Sequence, residues 1–352
     1  MGLFSSNDIG IDLGTANTLV CVDGKIYSEP SVIAINREDN RAIAFGNKAR
    51  EYIGRTHDKI YAIRPIRKGF ISSYTNTEKM IEYFIRRAIG KSTLRKPRVV
   101  ACIPSGATEV ERKSVWDAIE SAGAREIEIL EEPICAAKGV DIDIRKPEGN
   151  MIIDIGGGTS DVAVISLGGI VCSKSLKIGG DDFDEAIIKF LKERYSLSVG
   201  ERTAEEVKIQ IGSAYETTQE SRNIEYENDE EKPIKTENER SMKIKGLLLG
   251  AVGGYPKNIL VSESEIREAL EEPVKQIVET VKSIFEITPP ELAADIYSRG
   301  IIMTGGGSQL RGLVERLKSE TSIDVMLADN PVNAVIRGIQ KRINERRREE
   351  GR

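Results

Sequence analysis

The sequence predicts an α/β fold built by duplication: two related α/β domains facing each other across a cleft, each with a small inserted subdomain. Three observations carry this. Residues 9–23, I-G-I-D-L-G-T-A-N-T-L-V-C-V-D, read as strand, glycine turn, strand. Residues 151–167, M-I-I-D-I-G-G-G-T-S-D-V-A-V-I-S-L, read the same way. Laying Asp12 on Asp154 also lays Gly14 on Gly156 and Thr18 on Ser160, an offset of 142 residues, and sets Ile11, Leu13 and Val20 opposite Ile153, Ile155 and Val162. Self-similarity at a fixed spacing marks an internal repeat.

The elements follow in order. The first domain is expected over 1–145, with a small subdomain at about 32–66, where short strand and turn signals alternate. Glu78–Ala88 places Met80, Ile81, Phe84 and Ile85 on one helical face. Val99–Ile103 is a short apolar strand closed by Pro104-Ser-Gly, Glu109–Ala122 is a helix ending at Gly123, and Ile127–Leu130 is a further strand. The second domain is expected over 146–352, with its small subdomain at about 182–245. Asp181–Tyr195 and Thr203–Gly212 read as helices. Residues 225–240 are polar and charge-rich, the composition of an exposed loop between strands. Glu263–Ile287 reads as a long helix, with Pro273 expected near a helix start, where its missing N–H costs nothing. Ile301–Met303 is a strand running into Thr304-Gly-Gly-Gly-Ser308, a helix follows to Glu320, and Ala334–Arg352 is an amphipathic tail helix.

Composition narrows the function. The chain of 352 residues carries 51 Lys and Arg against 56 Asp and Glu, a net charge of −5. A dedicated nucleic-acid binder would show a basic excess, so no nucleic-acid partner is expected. The single histidine, His57, argues against His-rich metal sites. Cys21, Cys102, Cys135 and Cys172 are widely spaced, without C-x-x-C, as in an intracellular protein with free thiols. No apolar run approaches the ~18–20 residues that span a bilayer, and no signal peptide is visible.

The two hairpins carry the chemistry. Neither is a phosphate-binding G-x-x-x-x-G-K-[ST] loop, and neither opens a helix as the dinucleotide fingerprint does. Their glycines let backbone come close to a ligand, and successive N–H groups form an anion-binding concavity. Thr15, Asn17 and Thr159 add side-chain donors. Asp12 and Asp154 stand at strand ends, where hard carboxylates suit Mg²⁺. A facing pair of such hairpins would clamp a polyphosphate. The glycines at 305–307 allow flat, close approach of an aromatic ring such as adenine.

Nine segments together resemble the MreB family of bacterial actins, within the actin/sugar-kinase/70-kilodalton heat-shock ATPase superfamily. They are D-L-G-T-A-N-T (12–18), R-P-I-R-K-G (64–69), P-S-G-A-T-E-V-E-R (104–112), L-E-E-P (130–133), D-I-G-G-G-T-S-D-V-A-V (154–164), I-G-G-D-D-F-D-E-A-I (178–187), R-T-A-E-E-V-K-I-Q-I-G (202–212), P-P-E-L-A-A-D-I (289–296) and T-G-G-G-S-Q-L (304–310). The resemblance implies an actin-like ATPase fold, with ATP and Mg²⁺ in the interdomain cleft. Carried over by position, Thr15, Ala16 and Asn17 match the first phosphate loop, and Gly157, Gly158 and Thr159 the second. Glu205, Glu206, Val207 and Lys208 match the stretch beside ribose and base, and Gly306, Gly307, Ser308 and Gln309 the adenine platform. Glu132 matches the glutamate that orients the attacking water, with Thr159 assisting.

The resemblance further implies homopolymeric filaments at the cytoplasmic face of the inner membrane, with cell-wall elongation proteins as partners in shaping the cell. The acidic insertion near 227–241 looks long for the family. The membrane-facing residues are expected to be Leu3, Phe4, Lys91, Leu94, Arg95, Lys96 and Arg98. Chaperone-type ATPases and small-molecule kinases share the superfamily. The first should add a peptide-binding β-domain, and the second sugar-binding groups in an open pocket; the sequence offers neither.

Overall fold

The computed structural model describes residues 8–90, 96–216, 239–249 and 254–351. Two five-stranded sheets form its frame. The first has the order β10-β9-β1-β2-β3, from β1 (Asp8–Leu13), β2 (Asn17–Val22), β3 (Lys25–Pro30), β9 (Arg98–Ile103) and β10 (Glu126–Glu131). The second has the order β13-β12-β11-β17-β18, from β11 (Asn150–Ile155), β12 (Ser160–Ser166), β13 (Gly169–Leu176), β17 (Ile301–Thr304) and β18 (Val325–Leu327). In both, three antiparallel strands are followed by two added in parallel. The duplication seen in two hairpins therefore extends to whole sheets. The central strands β9, β11 and β12 are buried along their entire length, as strands covered on both faces must be.

The inserted parts are smaller. β4 (Ile33–Asn36), β5 (Ala42–Phe45) and β6 (Ile60–Ile63) form a three-stranded sheet beside α1 (Gly46–Arg50). β7 (Ile66–Arg67) and β8 (Phe70–Ile71) form a tight hairpin. In the second half, β14 (Leu197–Ser198), β15 (Ser241–Leu248) and β16 (Tyr255–Ser262) make another small sheet. It reaches Ser262, past the position 245 set from sequence. Most of the charge-rich segment 225–240 lies outside the described residues.

Helices cover the sheets. α2 (Tyr74–Ile89) and α3 (Glu109–Ser121) pack on the first through Met80, Phe84, Val115 and Ile119. α5 (Gly180–Tyr195), α6 (Glu201–Ile211), α7 (Glu263–Ile287), α8 (Pro290–Arg299) and α9 (Leu313–Thr321) pack on the second around Phe183. α3 and α7 begin with capping boxes, Thr108 with Glu111 and Ser262 with Glu265, so their starts are locally encoded. Pro273 does not sit near a helix start: it is buried in the interior of α7. It cannot donate a helical hydrogen bond there. The buried stripe Ile266, Leu270, Val274, Ile277, Val281 and Ile284 holds the helix continuous regardless.

A third core joins the halves. α4 (Glu132–Gly139) and α10 (Ala334–Glu349) pack together between the sheets, with Leu19, Cys21 and Cys102 from the first and Ile152 and Ile165 from the second. The tail helix thus packs on β1 and β9 as well as on the second half. Its crossing with α4 is backbone-close: a Cβ on Gly338 would collide with the Cys135 carbonyl, and one on Gly139 with that of Ala334.

Candidate active site

The β1–β2 turn and the β11–β12 turn face each other across the cleft. The first is braced by Ser31, whose Oγ donates to the Gly14 carbonyl at 2.6 Å and lies 2.8 Å from Thr18 Oγ1. The second is tied to the start of α5: the Gly180 amide donates to Gly156 O at 3.0 Å, and the Asp181 amide to Gly157 O at 2.8 Å. The Lys68–Gly69 turn of β7–β8 inserts between them, and the Gly69 amide donates to Thr15 Oγ1 at 2.9 Å. That leaves the Thr15 hydroxyl proton free to donate.

A cavity of about 520 Å³ opens between these turns. That is the usual size for a cofactor-sized ligand. Asp12, Glu132 and Asp154 are among the residues that line the cavity. Glu132 is the first residue of α4, delivered by β10. Burial pushes Asp12 up to about 6 and Asp154 up to about 7. Burial also pushes Glu132 well above the usual carboxylate range, and the charges of Asp161, Asp12 and Asp154 push it further. Carboxyl groups gathered in a buried cavity hold protons unless a cation neutralises them. Thr304 Oγ1 donates to Asp154 at 2.7 Å, and Cys102 Sγ lies 3.5 Å from Asp12. Burial raises the Cys102 thiol well above its ordinary value, so it stands as a neutral neighbour. Among the described residues, Asp12, Glu132 and Cys102 bring ligand atoms within 4.8 Å of one another, and the two carboxylates are the donors a hard divalent ion takes; Asp154, the second metal ligand expected from sequence, is not in that group.

α6 and the Gly305–Gly307 turn also line the cavity. Gly305, at φ +84°, would bring a Cβ 2.8 Å from Asp154 Oδ1. A Cβ on Gly306 would meet nothing within 4 Å, so that face is open. Lys208 donates to Gly180 O at 2.8 Å and pairs with Asp184 at 2.9 Å.

Residues 6–350 match the model of the family described as MreB/Mbl protein. The chain belongs to the MreB/Mbl family. It is 43% identical over 344 residues to the cell shape-determining protein MreB of Escherichia coli K12, covering 96% of this chain and 93% of that protein. It is 42% identical over 335 residues to the cell shape-determining protein Mbl of Bacillus cereus, covering 95% and 94%. Among solved structures, MreB5 of Spiroplasma citri bound to ADP is 35% identical and superposes with a TM-score of 0.86, covering 98% of this chain and 99% of that one. The same protein bound to AMPPNP also gives 0.86. The fold is the actin-like one of this family.

Of the residues singled out from sequence, Asp12, Thr15, Ala16, Asn17, Glu132, Asp154, Gly157, Gly158, Thr159, Glu205, Lys208, Gly306, Gly307 and Gln309 line the cavity. Three do not. Val207 is buried in the second core, Ser308 is buried and donates to Gly305 O at 2.6 Å, and Glu206 faces outward to Gln210. For Glu206 and Val207 the reason is helical: four consecutive residues cannot share one face. The cavity takes Glu205, Lys208, Ile209 and Gly212, spaced i, i+3, i+4 and i+7. Arg50, Arg64, Asp181, Asp184 and Arg311 also line it and were not anticipated. Arg50 and Arg64 arrive from the small insertion in the first half, and nothing local in their sequence points to the cleft. Ile209 was detectable, as an apolar residue one turn after Glu205.

Proposed function

We propose that this chain binds ATP with Mg²⁺ in the interdomain cleft, hydrolyses it, and couples the cycle to assembly into actin-like filaments that help determine cell shape. The observation that carries the reading is that Glu132, Asp12 and Asp154 line one cavity together with two facing glycine turns. The adenine nucleotides bound by Spiroplasma citri MreB5, and the cell-shape role named for the Escherichia coli and Bacillus relatives, support it.

In this reading the amides of the two turns and the hydroxyls of Thr15 and Thr159 hold the phosphates. Mg²⁺ at Asp12 and Asp154 would supply positive charge beside them. Glu132 orients a water in line with the terminal phosphorus and takes its proton, and Thr159 helps to fix that water. The Gly306 face and Ile209 receive the base. Bringing substrate cations into this acidic cluster also favours the ionised form of Glu132, which a general base requires.

The filaments are proposed to lie in the cytoplasm against the inner membrane surface and to organise wall-elongation proteins there. Among the described residues, no helix is long and apolar enough to cross a membrane. Leu3, Phe4, Lys91, Leu94 and Arg95 lie outside the described residues. Lys96 is exposed, as a lipid contact requires. Arg98 is not: it is 4% exposed and paired with Asp8 and Glu350, because it starts a central strand under the tail helix. It is withdrawn from the lipid-facing set. The test is ATP-dependent pelleting with electron microscopy and phosphate release in parallel; protein that stays monomeric with ATP, Mg²⁺ and anionic vesicles would overturn the polymer reading.

A further inference from the structure

Asp161 is a buried carboxylate, 1% exposed, that has no role in the reading above. It sits in β12, directly opposite Asp154 of β11 and two residues beyond Thr159. Its Oδ1 accepts two hydrogen bonds from one residue of the other half: the Ser105 amide and the Ser105 hydroxyl, both at 2.9 Å. Among the described residues it forms no ion pair. Ser105 lies two residues after β9. The neighbouring Gly106 packs on the partner of Asp161 across the sheet, Ser175, so closely that a Cβ there would stand 2.8 Å from Ser175 Cβ. β9 is in turn locked to β10 in parallel register, with Ile103 beside Glu131. The next residue after Glu131 is Glu132.

A continuous mechanical path therefore runs from Asp161, through Ser105 and the paired ends of β9 and β10, to Glu132. At its other end Asp161 is anchored in β12, the strand that begins directly after Thr159. An apolar contact could hold two loops together without the cost of desolvating a carboxylate. A bidentate hydrogen-bonded contact fixes distance and angle as an apolar one does not.

We propose that Ser105 and Asp161 form the positioning pair that sets the separation between Glu132 and the second phosphate turn. The inference rests on reading Glu132 as the hydrolytic base. In this role Asp161 acts by placing Glu132.

The test uses the full chain, with two readouts: affinity for a fluorescent ATP analogue, and single-turnover phosphate release. Asp161→Ala removes the acceptor. It should slow phosphate release about tenfold or more, the scale expected for a small misplacement of a catalytic group, while affinity is kept. Asp161→Asn keeps a carbonyl oxygen for both Ser105 donors and should restore most of the rate. Ser105→Ala removes one of two donors and should slow release about fivefold. Asp161→Asn as slow as Asp161→Ala would show that charge, not geometry, is used, and would overturn the proposal. Equal losses of affinity and rate would show a merely structural contact and also overturn it. Should Asp161→Ala fail to fold, Ser105→Ala against Ser105→Thr decides: equal rates would overturn the pair. Glu132→Gln, run beside them, separates the two readings. If it releases phosphate normally, the base assignment falls; if it is defective while Asp161→Ala is normal, only the positioning pair falls.

Discussion

Gly157 meets Ala16 across the cleft: a Cβ on Gly157 would stand 2.6 Å from the Ala16 Cβ and 3.0 Å from its amide nitrogen. Gly158 is equally confined, against Thr15 Oγ1 at 2.5 Å and the Lys68 backbone at 2.9 Å. The glycines were expected to make room for phosphate. In this arrangement they first make room for the opposite turn. Gly157→Val should therefore prop the halves apart and weaken ATP binding by well over tenfold. Gly169→Ala, where a Cβ meets nothing within 4 Å, should not. Fluorescence titration checks both, and wild-type affinity in Gly157→Val would refute close apposition of the turns.

Glu132→Gln should retain ATP affinity and lower single-turnover phosphate release by roughly 10²-fold or more, the scale of a lost general base. Filaments formed with ATP should persist longer. Unimpaired release would move the role to another group, Glu131 being the next carboxylate in the chain.

Three ion pairs close the mouth of the cleft, each with its cation in the first half and its anion in the second: Arg50 with Glu205, Lys68 with Asp182, and Arg64 with Glu201 at 3.9 Å. Partly exposed pairs contribute about 0.2–1 kcal/mol each and are screened by salt. Release of bound nucleotide should accelerate several-fold as salt rises. Arg50→Glu should mimic high salt, and the swapped pair Arg50→Glu with Glu205→Arg should restore slow release. Stopped-flow release that is indifferent to salt would rule out a closing role.

Asp154 contributes, with Asp12 and Glu132 in the same direction, to the pH dependence of the nucleotide-free, metal-free protein. The Asp154 carboxyl rises from 3.8 to about 7 on burial. Between those values the native state holds a proton that the unfolded state has lost, so this group's contribution falls as pH rises. Thermal melts should show stability declining from about pH 4 to 7, and Asp154→Asn should flatten that decline. A variant with the wild-type slope would show that Asp154 does not titrate in this range.

Arg98→Ala should destabilise the fold by about 1.5–3 kcal/mol, because it removes one partner of the buried Asp8 carboxylate, which keeps Arg347 at 2.7 Å. Denaturant unfolding measures this directly. Vesicle binding should change little, since Arg98 faces the tail helix; a selective loss of vesicle binding with normal stability would reverse that assignment.

The sequence by itself determined the parts of this protein that depend on near neighbours. Alternating apolar residues around glycine turns specify the two hairpins, whose matching residues reveal the duplication. Thr108 with Glu111 and Ser262 with Glu265 mark where helices start. Asp12 and Asp154 were legible as candidate site residues because each stands at the end of a strand beside a glycine turn; Glu132 was reached only through the resemblance to the family, since an acidic residue at a helix start is otherwise ordinary. Only the tertiary structure decided which face of α6 looks into the cavity. That choice is made by Ala204, Val207 and Ile211, which bury against the second core and turn Glu205, Lys208 and Ile209 toward the cavity. It likewise decided that Arg98 is a buried partner of Glu350, 252 residues away, and that Asp161 meets Ser105. The physical reason is the same in each case. Periodicity and capping tell which side chains must leave water, but not what they will meet there, and a charge acquires its role only from what it meets.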